Sequence, residues 1–229
     1  MTDLPAASSA DRPRRFDLVV FDWDGTLYDS TALIVQAIQA AAADLDVPVP
    51  SDEQAAWVIG LGLRDALERA VPTLAKERYP ALVERYRHHY LLRQDHLTLF
   101  PGVLDMLHAL KRRHHWLAVA TGKSRRGLDD ALASTALKGV FDGSRTADET
   151  RSKPHPQMLL ELVREFGVDP ARTLMIGDTT HDLQLAANAG TASLAVGYGA
   201  HEPAAFAEHA PLATLHSVAA LAAWLDAHA

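Results

Sequence analysis

The chain contains no cysteine, which removes disulfides, thiolate zinc sites and cysteine nucleophiles together. Carboxylates, hydroxyls, lysines and 12 histidines are left for any chemistry, and a cytoplasmic location fits. No stretch approaches the ~18 consecutive apolar residues of a membrane span. Met1 to Arg15 lacks the apolar centre of a signal peptide, so residues 1–15 are expected to be a disordered tail. Basic residues are outnumbered: 22 Lys and Arg against 29 Asp and Glu give a net charge of −7, a surface that repels a phosphate backbone and disfavours nucleic acid as a partner. Internal repeats are absent as well. What remains is ordinary globular composition, 48% hydrophobic and 22% charged over 229 residues, enough for one large domain or a domain with an insertion.

Four short apolar runs bounded by turn residues stand out: Leu18 to Phe21, Trp116 to Ala120, Thr173 to Ile176 and Ser193 to Val196. Continuous rather than alternating apolar character predicts strands buried on both faces, as in a parallel sheet covered by helices. Helical spacing separates the later runs. Val103, Met106, Leu107 and Leu110 share one face, as do Leu159, Leu162, Val163 and Phe166, with Gly167 as a C-terminal stop. The alternation predicts an α/β fold with a doubly wound, Rossmann-like parallel sheet. Roughly ninety residues separate the first two runs, far more than one crossover needs, and their spacing is helical. Ile34, Ala37, Ile38 and Ala41 form one face, and Leu63, Ala66, Leu67 and Ala70 another; Tyr79, Leu82, Val83, Tyr86 and Tyr90 form a last helix whose tyrosines are expected in its core. Ser51 and Gln54 make a capping-box pattern. The expected organisation is a catalytic core of residues 16–27 and 100–229 with an inserted helical cap at 28–99, hinged near both ends.

Chemistry concentrates at the ends of the apolar runs. Asp22-Trp23-Asp24-Gly25-Thr26 follows the first, and Gly177-Asp178-Thr179-Thr180-His181-Asp182 follows the third. Open α/β sheets bind ligands at the carboxyl ends of their strands. If the following helix starts near Asp178, then Asp178 and Asp182 share one side of it and face Asp22 and Asp24. Two unit charges ~5 Å apart repel by ~3 kcal/mol at an effective dielectric near 20, and four carboxylates make six such pairs. Such a cluster must take up protons, spread apart or bind a cation. An all-oxygen donor set selects a hard cation, Mg²⁺ foremost.

Two cationic junctions complete the set. Thr121 and Gly122 close the second run, Ser124 can cap the next helix, and the free amides there make an anion site. Gly122-Lys123-Ser124 is not the end of a P-loop, because the leading glycine falls at Leu117. Gly60-Leu61-Gly62 is no dinucleotide fingerprint either: no strand precedes it and Asp65 stands at the third glycine. Lys153-Pro154-His155-Pro156 precedes a helix.

In chain order these pieces, Asp22-x-Asp24-Gly25-Thr26, Thr121, Ser152-Lys153-Pro154, and Gly177-Asp178 with Asp182, resemble the four motifs of the haloacid dehalogenase-like hydrolase superfamily. The helical insertion is similar to its C1 cap. The resemblance spans Phe16 to the C-terminus. It implies Asp22 as nucleophile, Asp24 as general acid and base, Thr121, Gly122 and Lys153 as phosphate-binding groups, and a Mg²⁺ held by Asp22, Asp24 and Asp178 with support from Asp182. Asp24 argues for phosphate ester hydrolysis, since dehalogenases of this type lack that acid. Phosphomutases of the family typically carry Val where this chain has Thr26. Phosphonate hydrolases need a cap lysine, and Lys76, the only one in the cap, stands beside Glu77 and Arg78 as surface. The nearest resemblance is to phosphoglycolate phosphatases, with a small phosphorylated metabolite as partner and a monomer or weak homodimer expected. Arg64 is the cap cation placed to meet a substrate carboxylate. A phosphosugar mutase and a non-catalytic phosphate- or partner-binding module are the alternatives. Trp23 and His181 depart from the family pattern. The paired His88-His89 and His114-His115 make no metal pattern, and Gly197-Tyr198-Gly199 reads as a flexible loop beside the site.

Overall fold

The computed structural model describes residues 14–94, 97–133 and 136–229. All but the last two residues of the expected N-terminal tail lie outside them. Among the described residues six parallel strands form one sheet: β1 (Leu18–Phe21), β2 (Trp116–Thr121), β3 (Gly143–Thr146), β4 (Thr173–Gly177), β5 (Ala192–Val196) and β6 (Thr214–Leu215). Their order is β3-β2-β1-β4-β5-β6. The chain moves outward from β1 to β3, then returns to β4 on the other side of β1. That reversal makes β1/β4 the switch point, where such sheets open a crevice at their carboxyl ends. Phe21 is in register with Val119 of β2 and Ile176 of β4, so the residues that follow these strands emerge together.

The apolar runs are continuous because both faces are covered. Val19 and Phe21 point into a core with α5 (Val103–Arg112) and α9 (Val218–His228), while Leu18 and Val20 meet α7 (Gln157–Phe166) and α8 (Thr180–Ala189) on the opposite face. The predicted faces of α5 and α7 are buried, Phe166 only partly, and α7 ends at Gly167, whose φ of 64° satisfies a left-handed cap. Two strands escape the sequence reading. β3, Gly-Ser-Arg-Thr, is a polar edge strand, and β6 has only two residues.

Between β1 and α5 lie α1 (Thr31–Asp44), α2 (Asp52–Trp57), α3 (Leu63–Ala70) and α4 (Tyr79–Leu91). They enclose their own apolar centre of Ile34, Ile38, Ala55, Leu67, Leu82 and their neighbours. The capping box of α2 forms in both directions, Gln54 N to Ser51 Oγ at 3.2 Å and Ser51 N to Gln54 Oε1 at 3.0 Å. The chain enters and leaves this helical block side by side: Asp29 N donates to Thr98 O (3.0 Å) and Phe100 N to Leu27 O (3.0 Å). No helix among the described residues is long and apolar enough to cross a membrane.

Candidate active site

Asp22 directly follows β1, its amide donating to Ile176 O of β4 at 2.9 Å. Lys153, brought in ahead of α7, donates from one ammonium to Asp22 Oδ1 (2.7 Å) and Asp182 Oδ1 (2.6 Å), with all three side chains out of solvent. Asp182 Oδ2 accepts from Thr179 Oγ1 (2.7 Å) and Thr179 N (3.2 Å), closing a capping box on α8. The helix therefore begins at Thr180, after Asp178, and the expected shared helical side for Asp178 and Asp182 does not exist. Asp178 instead reaches the site from the turn. Its Oδ1 accepts from Thr26 Oγ1 and its Oδ2 from Ala200 N, each at 2.7 Å.

Two glycines make room for Asp178. A Cβ on Gly25, at φ 81°, would lie 2.2 Å from Asp178 Oδ2, and one on Gly199 would lie 2.3 Å from the same oxygen. Gly199 belongs to the segment expected to be a flexible loop; here Tyr198 also donates to Thr26 O at 3.1 Å, tying that loop to the first motif.

One oxygen from each of Asp22, Asp178 and Asp182 falls within 4.8 Å of the other two. A single ion with oxygen ligands at roughly 2.1 Å links pairs up to roughly 4.2 Å apart, so small adjustments suffice. With Lys153, three ionised carboxylates and one ammonium leave a formal charge of −2. Burial, reinforced by Asp182, pushes Asp178 up to about 7. Burial also raises Asp22, against Lys153 and with Asp182 and Asp178. Lys153 stays above its ordinary value because Asp182 and Asp22 outweigh its burial. Asp22 Oδ2 is buried with no hydrogen-bond partner. A hard divalent cation fits this oxygen-only, electron-rich set.

Asp24 stands apart from the triad. Its Oδ1 accepts from Ser30 Oγ (2.7 Å) and pairs with Lys123 Nζ (3.0 Å), which also donates to Tyr90 Oη of α4 (3.0 Å). Burial would lower Lys123, but Asp24, Tyr90 and Tyr86 hold it above its ordinary value. Thr121 Oγ1 accepts from Lys123 N at 3.2 Å. Gly122 is where the helical block meets the core: a Cβ there would lie 2.3 Å from Leu61 O and 2.7 Å from Gly60 O. Arg64 lies on α3 with its side chain 80% exposed and paired with Glu68 at 2.8 Å. It lines the cleft between helical block and core, facing water rather than the carboxylates.

His181 and His201, both buried, donate through Nε2 to Trp57 O at the end of α2, at 2.8 and 3.0 Å. His201 Nδ1 accepts from Thr180 N (3.1 Å), which fixes its tautomer, and its ring stacks on Trp57 at 4.3 Å. Burial lowers His181 and takes His201 down to about 4. Lys123, Thr26, Ser30 and His201 were given no site role by the sequence reading. For Lys123 the signal was available: it stands two residues past β2 at the same sheet edge as the rest.

A family model for haloacid dehalogenase-like hydrolases matches residues 19–196. The chain belongs to that family. Among its relatives, "Probable phosphatase IndB" of Dickeya dadantii (strain 3937) is 39% identical over 190 residues, 80% of this chain and 82% of that protein. A phosphoglycolate phosphatase of Chromobacterium violaceum is 33% identical over 193 residues, 79% and 85% of the two chains. The crystal structure of a predicted phosphoglycolate phosphatase from Haemophilus somnus 129pt superposes with a TM-score of 0.79 at 27% identity, covering 89% of this chain and 95% of that one.

Proposed function

We propose that this chain is a Mg²⁺-dependent phosphomonoesterase acting on a small phosphorylated metabolite through an aspartyl phosphate on Asp22. The observation that carries the reading is the state of the Asp22 carboxylate: Oδ1 is fixed by Lys153 while Oδ2 is buried and unpartnered beside Asp178 and Asp182. Relatives named as phosphatases support the same reaction class.

Asp22, Asp178 and Asp182 supply the oxygens that would hold Mg²⁺, and the bound ion would neutralise charge on the transferring phosphoryl group. Asp22 attacks phosphorus and takes the phosphoryl group. Lys153, held between two carboxylates, offsets charge on the phosphoryl oxygens, and Thr121 with the Gly122 amide completes their cradle. Asp24, oriented by Ser30 and Lys123, gives its proton to the departing alkoxide oxygen, then takes one from the water that cleaves the acyl phosphate. Carbonyls of Gly60 and Leu61 pack on Gly122, so the helical block borders the cradle.

Purified protein with Mg²⁺ should release inorganic phosphate from 4-nitrophenyl phosphate, and Asp22→Asn should abolish release. Isomerisation of a hexose phosphate without phosphate release would instead indicate a mutase.

A further inference from the structure

A cleft of about 1130 Å³ opens between the helical block and the core, and Asp24 and Lys123 stand in its wall. Its volume is slightly above the roughly 300 to 1,000 Å³ that takes a drug-sized ligand, far more than a two-carbon acid needs beyond its phosphate. The wall nearest Lys123 is aromatic. Tyr86 and Tyr90 stack at 5.9 Å, Lys123 Nζ lies 5.1 Å from the Tyr90 ring centre, and Tyr28 packs on Trp23 at 5.4 Å. Both of the first two tyrosines pack against the apolar centre of the helical block, as expected of core residues, and, half-buried, also line the cleft.

Its cations do not suit a second anion beside the ester. Lys123 is already engaged by Asp24 Oδ1 and Tyr90 Oη, and Arg64 and Arg126 are solvated rim groups with side chains 80% and 93% exposed, each facing a carboxylate on its own helix. Arg87, also exposed, is the remaining guanidinium of the lining among the described residues. A substrate carboxylate next to the phosphoester would find only cations already engaged or standing in solvent, with little to offset the water it loses. A flat ring would gain stacking and dispersion against the tyrosines instead.

Resting on the phosphomonoesterase reading, we infer that the leaving group of the substrate is ring-bearing and uncharged next to the ester oxygen, with Tyr86 and Tyr90 as its binding wall, and that phosphoglycolate is a poor substrate. The test compares benzyl phosphate with 2-phosphoglycolate, both leaving as alkoxides, by phosphate release from the full chain with Mg²⁺. Benzyl phosphate should be preferred in kcat/KM by about tenfold or more. Tyr86→Ala should raise KM for benzyl phosphate by about tenfold while moving phosphoglycolate less than about twofold, and Tyr86→Phe should restore the preference. Preference for phosphoglycolate, or equal loss on both esters in Tyr86→Ala, would overturn the inference and leave the phosphatase reading standing. Failure of the wild-type chain to release phosphate from any ester, 4-nitrophenyl phosphate included, would overturn both.

Discussion

Replacing Lys153 by methionine keeps the volume of the side chain and removes the ammonium that touches both Asp22 and Asp182. At 2.7 and 2.6 Å each contact is worth roughly 6 kcal/mol gross at an effective dielectric near 20. Desolvation of the buried groups offsets much of that. Breaking a buried pair from one side nevertheless costs about 3 to 5 kcal/mol, because the remaining charge is stranded. Of the stranded groups Asp22 already has its folded pKa raised by burial, and Asp178 beside it is raised as well. A carboxyl raised on folding supports the folded state at low pH and works against it as pH rises from its unfolded value towards its folded one. The loss in Lys153→Met should therefore be about 3 to 5 kcal/mol near pH 8 and clearly smaller near pH 5, where the carboxylates accept protons. Urea denaturation in EDTA at both pH values reads the difference. A penalty independent of pH, or below about 1 kcal/mol near pH 8, would refute the charge account.

Wild-type protein should be stabilised by Mg²⁺, by about 2.7 kcal/mol at a hundredfold excess over its dissociation constant, and more strongly near pH 8 than near pH 5, because Asp178, at about 7, must lose its proton to bind; thermal melts with and without Mg²⁺ check this. Gly25→Ala places a Cβ 2.2 Å from Asp178 Oδ2 at a φ of 81°, so Mg²⁺ affinity measured by titration calorimetry should fall by about tenfold or more. Lys123→Met should lower kcat by about tenfold or more with the phosphoenzyme still formed, since Asp22 and Lys153 are untouched; quench-flow analysis distinguishes this from loss of binding. On the acid side, burial holds His115 near 4, so its own contribution should turn against folding as pH falls from about 6.5 towards 4, read as the difference in urea midpoints between wild type and His115→Asn in steps across that window.

Much of this architecture is legible in the sequence wherever burial dictates residue type. β1, β2, β4 and β5 sit between two apolar layers and therefore read as unbroken hydrophobic runs, and the faces of α5 and α7 repeat at helical spacing. The acidic motifs are legible because they directly follow those runs. β3 is not, since an edge strand of Gly-Ser-Arg-Thr has no core to satisfy on its outer side. The start of α8 was misplaced by two residues because Thr179, not Asp178, supplies the capping oxygen, although either residue type can cap. Arg64 was expected to face the substrate, but a neighbouring Glu68 one turn on competes for it in water. Contacts between distant segments, Lys123 with Tyr90 or His201 with Trp57, depend on how the helical block rests on the core, and no local spacing encodes that.

The most direct test of Asp22 as the covalent acceptor is acid quenching of the enzyme during turnover of 4-nitrophenyl phosphate with Mg²⁺, followed by borohydride reduction and peptide mass spectrometry. The account predicts conversion of Asp22 alone to homoserine, dependent on substrate and Mg²⁺. Conversion at another residue, or sustained phosphate release with Asp22 never modified, would contradict it.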